Sequence, residues 1–254
     1  MEKKTMSTKN QESNSSESAL APRQETLPAQ NGVGNIDGLE DIDREDIIIP
    51  RLRIVQPTSR EATNGVPAGS FVSNLDGSAF EQCRIVPLSW KKGRILFNEG
   101  DEKPSCRSND GLMPSDRIAS PVSECCAKRI NGSLKTVCPS AQWLDDAPPA
   151  CAQTYQLCAL NLDLSESPFL VGFKGTSIRP VKTLISFFVQ RKMPPYSYSC
   201  QMSLRKETNR RGTFFVAEFG KYEPIDPPDR YKVIYQEMKG YSTPAPATDE
   251  DLPF

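Results

Sequence analysis

Along the body of the chain apolar residues fall on alternate positions, and this two-residue period predicts strands. In Arg51-Leu52-Arg53-Ile54-Val55 charge alternates with bulk, giving a half-buried strand with Arg51 and Arg53 on its open face. Residues 69–72, 83–88 and 90–97 read as further strands, and 155–162 with 168–173 as a hairpin. The period changes once. Across 177–191, Ile178, Val181, Leu184, Ile185, Phe188 and Val189 recur at three- and four-residue steps. That spacing predicts an amphipathic helix with Ser177 as N-cap, Pro180 in its first turn, and Arg179, Lys182 and Arg191 on its polar face. Residues 196–206 and 212–222 form a last strand pair around a basic tip of Arg205, Lys206, Arg210 and Arg211. The fold class expected is mainly β with one clear helix: an OB-like Greek-key barrel elaborated by long loops, with a sandwich as the alternative.

One stretch interrupts the pattern. Between residues 104 and 152 the chain is polar, rich in Pro and Gly, and without hydrophobic period, yet it holds Cys106, Cys125, Cys126, Cys138 and Cys151. A loop of this length needs something other than a core to order it. Four thiolates can close it as a tetrahedral zinc site, each fixing a separate piece of backbone. The set expected is Cys106, Cys126, Cys138 and Cys151, with Cys125 able to replace Cys126 and Trp143 packed over the site. The long, irregular spacings leave scattered reduced thiols and disulfides as alternatives. Cys158 is placed in a strand core as a small hydrophobe.

Composition narrows the chemistry. The chain of 254 residues contains no histidine, which removes Ser-His-Asp and Cys-His nucleophiles, histidine proton transfer and mixed Cys/His zinc sites. A zinc held by four thiolates keeps no open position for water, so the site expected is structural and the protein is not expected to be an enzyme. No apolar run of membrane-spanning length and no apolar N-terminal leader is present, so a soluble protein of a reducing cytoplasm is expected. Residues 1–45 are rich in Ser, Glu, Gln and Asn and are expected to be disordered, as is the tail at 241–254. The folded domain is then 46–240, with the zinc-binding insertion at 104–152.

The net charge of -1 hides a partition. Residues 47–240 carry 26 basic and 19 acidic side chains, between ends with an acidic excess. A basic body between acidic ends suits a polyanion partner. Trp90-Lys91-Lys92-Gly93-Arg94 sets cations beside an aromatic, as a single-stranded nucleic-acid site does, where cations follow phosphates and a ring stacks a base. The alternative leaves Trp90 in the core and the lysines merely solvated. The candidate contacts are Arg51, Arg53, Trp90, Lys91, Lys92, Arg94, Lys182, Arg205, Lys206, Arg210 and Arg211.

The chain closes on Asp249-Glu250-Asp251-Leu252-Pro253-Phe254 after a Pro/Ala-rich linker. Acids followed by an apolar tip suit a pocket with a basic rim. This tip resembles the acidic tail of bacterial single-stranded DNA-binding proteins. The longer body and the cysteine insertion are more similar to phage members, some of which combine an OB-type core, cysteine-bound zinc and an acidic C-terminus. The resemblance implies coating of single-stranded DNA in the bacterial host cell during phage replication and recombination, with Asp249, Glu250, Asp251, Leu252, Pro253 and Phe254 recruiting replication and recombination proteins. It leaves open a homo-oligomer, a strand-annealing mediator, and a zinc-stabilised adaptor of the replication machinery.

Overall fold

The computed structural model describes residues 46–98, 104–115, 125–145, 147–210 and 212–239. The described residues from Ile49 onward form one compact unit, and residues 46–48 lie outside it. The segments expected to be disordered, 1–45 and 241–254, fall outside the described residues.

The fold is mainly β. Its elements are β1 (Arg51–Ile54), a short α1 (Arg60–Thr63), β2 (Phe71–Ser73), β3 (Ala79–Phe80), β4 (Gln82–Leu96), β5 (Cys106–Ser108), β6 (Ala127–Ile130), β7 (Ser133–Thr136), β8 (Ala152–Asn161), β9 (Ser167–Lys174), α2 (Ile178–Arg191), β10 (Tyr198–Asn209), β11 (Gly212–Pro224) and α3 (Asp229–Lys239). The main sheet runs in the order β11-β10-β4-β8-β9-β1-β2-β3, with β5 on β4, while β6 and β7 pair separately. Every pairing is antiparallel except β1 with β9.

Segments 83–88 and 90–97, expected as two strands parted at Ser89, belong to one strand, β4. β4 runs straight through the proline, and its register with β8 shifts between Pro87 and Ser89. Proline has no N–H to give to a ladder, so it is tolerated at such a bulge.

The main sheet curls into a half-barrel. Its inner face packs Leu52, Ile54, Phe71, Ile85, Leu157, Phe173 and Met202 with Val181, Leu184 and Phe188 of α2. The open side is bridged by one side chain. Gln56, 1% exposed, donates from Nε2 to the Phe215 carbonyl and accepts the Phe215 N–H at Oε1, both at 2.9 Å. The amide thus does for β11 what a neighbouring strand would do.

The helix expected at 177–191 is α2. Val189, expected on its apolar face, is 69% exposed, because β8, β9 and β11 meet only the narrower stripe through Val181, Leu184 and Phe188. Ser177 precedes the helix without a capping side-chain bond. The expectation of one clear helix is corrected by α3, whose Tyr231, Ile234, Tyr235 and Met238 cover Val86, Leu88, Cys158 and Leu160 on the outer face. Their three- and four-residue spacing is the signal that marks it in the sequence. Among the described residues no helix is long and apolar enough to cross a membrane.

Candidate metal centre and nucleic-acid interface

The insertion is built on short backbone ties. Cys106 opens β5 opposite Leu96. The Cys126 N–H donates to the Leu112 carbonyl at 2.7 Å, and the Cys126 carbonyl accepts from Val137 at 3.0 Å and Cys138 at 3.3 Å. Cys138 precedes the turn Pro139–Ala141, and the Cys151 N–H donates to the Ser140 carbonyl at 2.7 Å. The four thiols expected as ligands thus sit on four separate pieces of chain. Cys138 and Cys151 pack with Leu96 and Ala141, against Cys106.

The four also act on one another. Burial pushes the Cys151 thiol up to about 11, and Cys126, Cys138 and Cys106 add to that while Arg94 opposes it. Burial likewise raises Cys126; the Ser108 hydroxyl and Arg94 oppose it, and Cys106 and Cys138 reinforce it.

Arg94 is 9% exposed. Its Nη2 donates to Thr136 Oγ1 at 3.0 Å, and its Nε is buried without a hydrogen-bond partner. No carboxylate pairs with it among the described residues. A buried guanidinium without a counter-charge costs several kcal/mol, and ionised thiolates would supply that charge. Among the described residues no three or more His, Cys, Asp or Glu side chains form a ready metal cage. The donor set nonetheless fits a soft divalent ion: three buried sulfurs and the half-buried Cys106, no competing histidine, and a cation beside them to offset surplus thiolate charge.

Trp143, expected to pack over the thiols, is 67% exposed and does not cover them. Trp90, the candidate base platform, is half-buried against Phe188 at 5.8 Å, with its Nε1 buried and unpaired. Alternation places Trp90 on a strand but does not fix whether its ring is wet.

The cations expected in one site fall into three groups. Arg51, Arg53 and Lys91 lie on the outer face of the sheet. There Lys91 lines a gap with Gln156, Cys158 and Met238, and Arg53 is paired with Glu61 at 2.9 Å. Lys92 and Lys182 share the opposite side with Arg94. Burial and then the charges of Arg94 and Lys182 hold the Lys92 ammonium below its ordinary pKa. Arg205, Lys206 and Arg210 lie along the last hairpin, where Asn209 pairs with Gly212. Arg205 is engaged by Glu207 at 2.8 Å and Glu218 at 3.9 Å. Arg211 and the tip residues Asp249, Glu250, Asp251, Leu252, Pro253 and Phe254 lie outside the described residues.

Cys83, Cys158 and Cys200 belong to the barrel, and burial pushes each thiol up to about 12. A free thiol ionises near 8.5, so above that pH the unfolded chain binds fewer protons than the folded one and stability falls as pH rises. The expected loss is up to ~1.4 kcal/mol per pH unit for each thiol. Urea midpoints at neutral and alkaline pH check it; a midpoint that does not fall places these thiols in contact with water.

A family model described as Pam3 phage gp34-like protein matches residues 16–243. No curated protein and no solved structure matches the chain. With most of its length covered by that match, the chain belongs to the Pam3 phage gp34-like protein family.

Proposed function

We propose that the protein is a non-enzymatic single-stranded DNA-binding protein on an OB-like Greek-key barrel, with a structural zinc held by Cys106, Cys126, Cys138 and Cys151. The observation that carries this reading is the connectivity of five strands and one helix. β4, β8 and β9 follow one another as an antiparallel meander, α2 comes next, and β10 and β11 return to the free edge of β4. In an OB fold the loops between the first and second strands and between the fourth and fifth border the oligonucleotide-binding face. On this chain those connections are the cysteine insertion between β4 and β8 and the residues joining β10 to β11.

The charges support the same assignment. α3 takes the outer face at Val86, Leu88, Cys158 and Leu160, and its Met238 ends beside Lys91. Beyond it on that face lie Lys91, Arg51 and Arg53. Phosphates held there and at the hairpin tip would give binding with little sequence preference and a strong dependence on salt. Zinc, when bound, would supply cross-linking of the insertion and no reaction. Asp249, Glu250, Asp251, Leu252, Pro253 and Phe254 would recruit replication and recombination proteins.

The test is fluorescence anisotropy of a labelled oligothymidine against a duplex of equal length, at several salt concentrations. Preferential, salt-sensitive binding of the single strand is expected; binding of neither probe rejects the reading. Replacing Arg210 and Arg211 together by Ala is expected to flatten the log–log salt slope by about 1.4, from two lost phosphate contacts at about 0.7 each. An unchanged slope removes the hairpin tip from the site.

A further inference from the structure

The ribbon of β6 and β7 breaks a rule of sheet stability. Lys128 stands directly opposite Lys135, on a pair of strands that belongs to no larger sheet among the described residues. Like charges opposite one another destabilise a pair, and a lone two-stranded hairpin is marginal in water to begin with. No acid lies between Cys125 and Cys138, where Lys128, Arg129 and Lys135 are found. Neither lysine has an ion-pair partner among the described residues.

The ribbon is nonetheless tightly specified. Its turn is Asn131-Gly132, with φ of 49° and 77°, the left-handed pair that a two-residue hairpin turn requires. Its base is fastened by the Cys126 carbonyl and by the bond from Arg94 to Thr136. A structure fixed at its base and charged along its exposed length presents cations outward. Beside it, Gln142 Nε2 donates to the Thr136 carbonyl at 3.2 Å, and the next residue is the exposed Trp143.

We infer that this ribbon and Trp143 form a second nucleic-acid contact, in which Lys128 and Lys135 hold successive phosphates of a single strand and Trp143 stacks a base. The inference rests on the single-stranded DNA-binding reading and adds to the barrel a site on the insertion. The occupant is set by charge complementarity and by the ring: two cations with no ion-pair partner among the described residues answer a phosphate repeat, and an exposed indole answers an unstacked base, which a duplex does not offer. The thiol centre acquires a role, since it fixes the base of the element that meets the strand.

The test uses the full-length, zinc-loaded protein and fluorescein-labelled oligothymidine. Lys128→Ala with Lys135→Ala is expected to lower the salt slope by about 1.4. Trp143→Ala is expected to weaken binding roughly 10-fold, one lost stack. Trp143→Phe is expected to remove most of the tryptophan quenching caused by the oligonucleotide, since Trp90 is covered by Phe188. Circular dichroism and zinc content matching the parent confirm that the variants fold. A parent that binds, with variants unchanged in slope, affinity and quenching, overturns the ribbon site and leaves the barrel reading standing. Equal losses on duplex and single strand overturn the stacking role. A parent that binds no oligonucleotide overturns both.

Discussion

Cys126→Ser is expected to reduce bound zinc from about one per chain to near zero, while Cys125→Ser leaves it unchanged. Cys126 interacts with Cys106, Cys138 and Cys151, and its backbone ties Leu112 to Val137 and Cys138. Structural zinc contributes about 10–16 kcal/mol in small metal-folded peptides, so a broken ligand set is expected to release the insertion as a unit. The barrel is expected to persist, because its core shares no residue with the cluster around Cys138 and Cys151. Elemental analysis and hydrogen exchange across residues 104–152 check both halves; equal zinc in the two serine variants defeats the assignment. Arg94→Met gives an independent sign. If thiolates on a metal neutralise the guanidinium, the variant should lose zinc faster to a chelator and be less stable. Without a metal, removing an unpaired buried charge should be neutral or stabilising.

Gln56→Ala is expected to lower stability by about 2–6 kcal/mol, because it strands both the N–H and the carbonyl of Phe215 at about 1–3 kcal/mol each. For a domain whose total stability is of order 5–15 kcal/mol, that approaches loss of the folded barrel. Gln56→Glu should fare no better: it keeps the acceptor for the Phe215 N–H but has no donor for the carbonyl and buries a charge. Gly69 lies at the same seam. Its φ is +91°, and a Cβ there would stand 2.4 Å from a ring carbon of Phe215. Gly69→Ala should therefore cost about 1–2 kcal/mol of left-handed strain and about 1–3 kcal/mol of overpacking. Both substitutions act on Phe215, so their effects should not add in the double variant. Urea midpoints measure all of this, and a Gln56→Ala midpoint equal to the parent's shows that the side chain closes nothing.

The local pattern determined a good part of this molecule. Alternation in 51–55 yields β1 with Leu52 and Ile54 inward, and the spacing of Val181, Leu184 and Phe188 yields α2. The paired runs around 207–211 yield the final hairpin. These are properties of neighbours in sequence, and hydrophobic period records them directly. Two further elements left signals of the same kind: Asn131-Gly132 marks the ribbon turn, and Tyr231, Ile234, Tyr235 and Met238 mark α3.

Tertiary structure decided the rest. Trp90 is the candidate base platform and Trp143 the expected cover of the thiols, yet Phe188 of α2 packs on Trp90 while Trp143 is exposed. Cys126 is distant in sequence from Cys106, Cys138 and Cys151, and only folding lets these thiols act on one another. The cations of 90–94 divide between two sides of the sheet because strand geometry sends Lys91 one way and Lys92 and Arg94 the other. Gln56 reads as an ordinary polar residue after a strand until Phe215, 159 residues away, brings it two backbone partners. Period fixes which residues share a face; what covers that face, and which distant group completes a hydrogen bond or a charge, depends on segments that meet only when the chain folds.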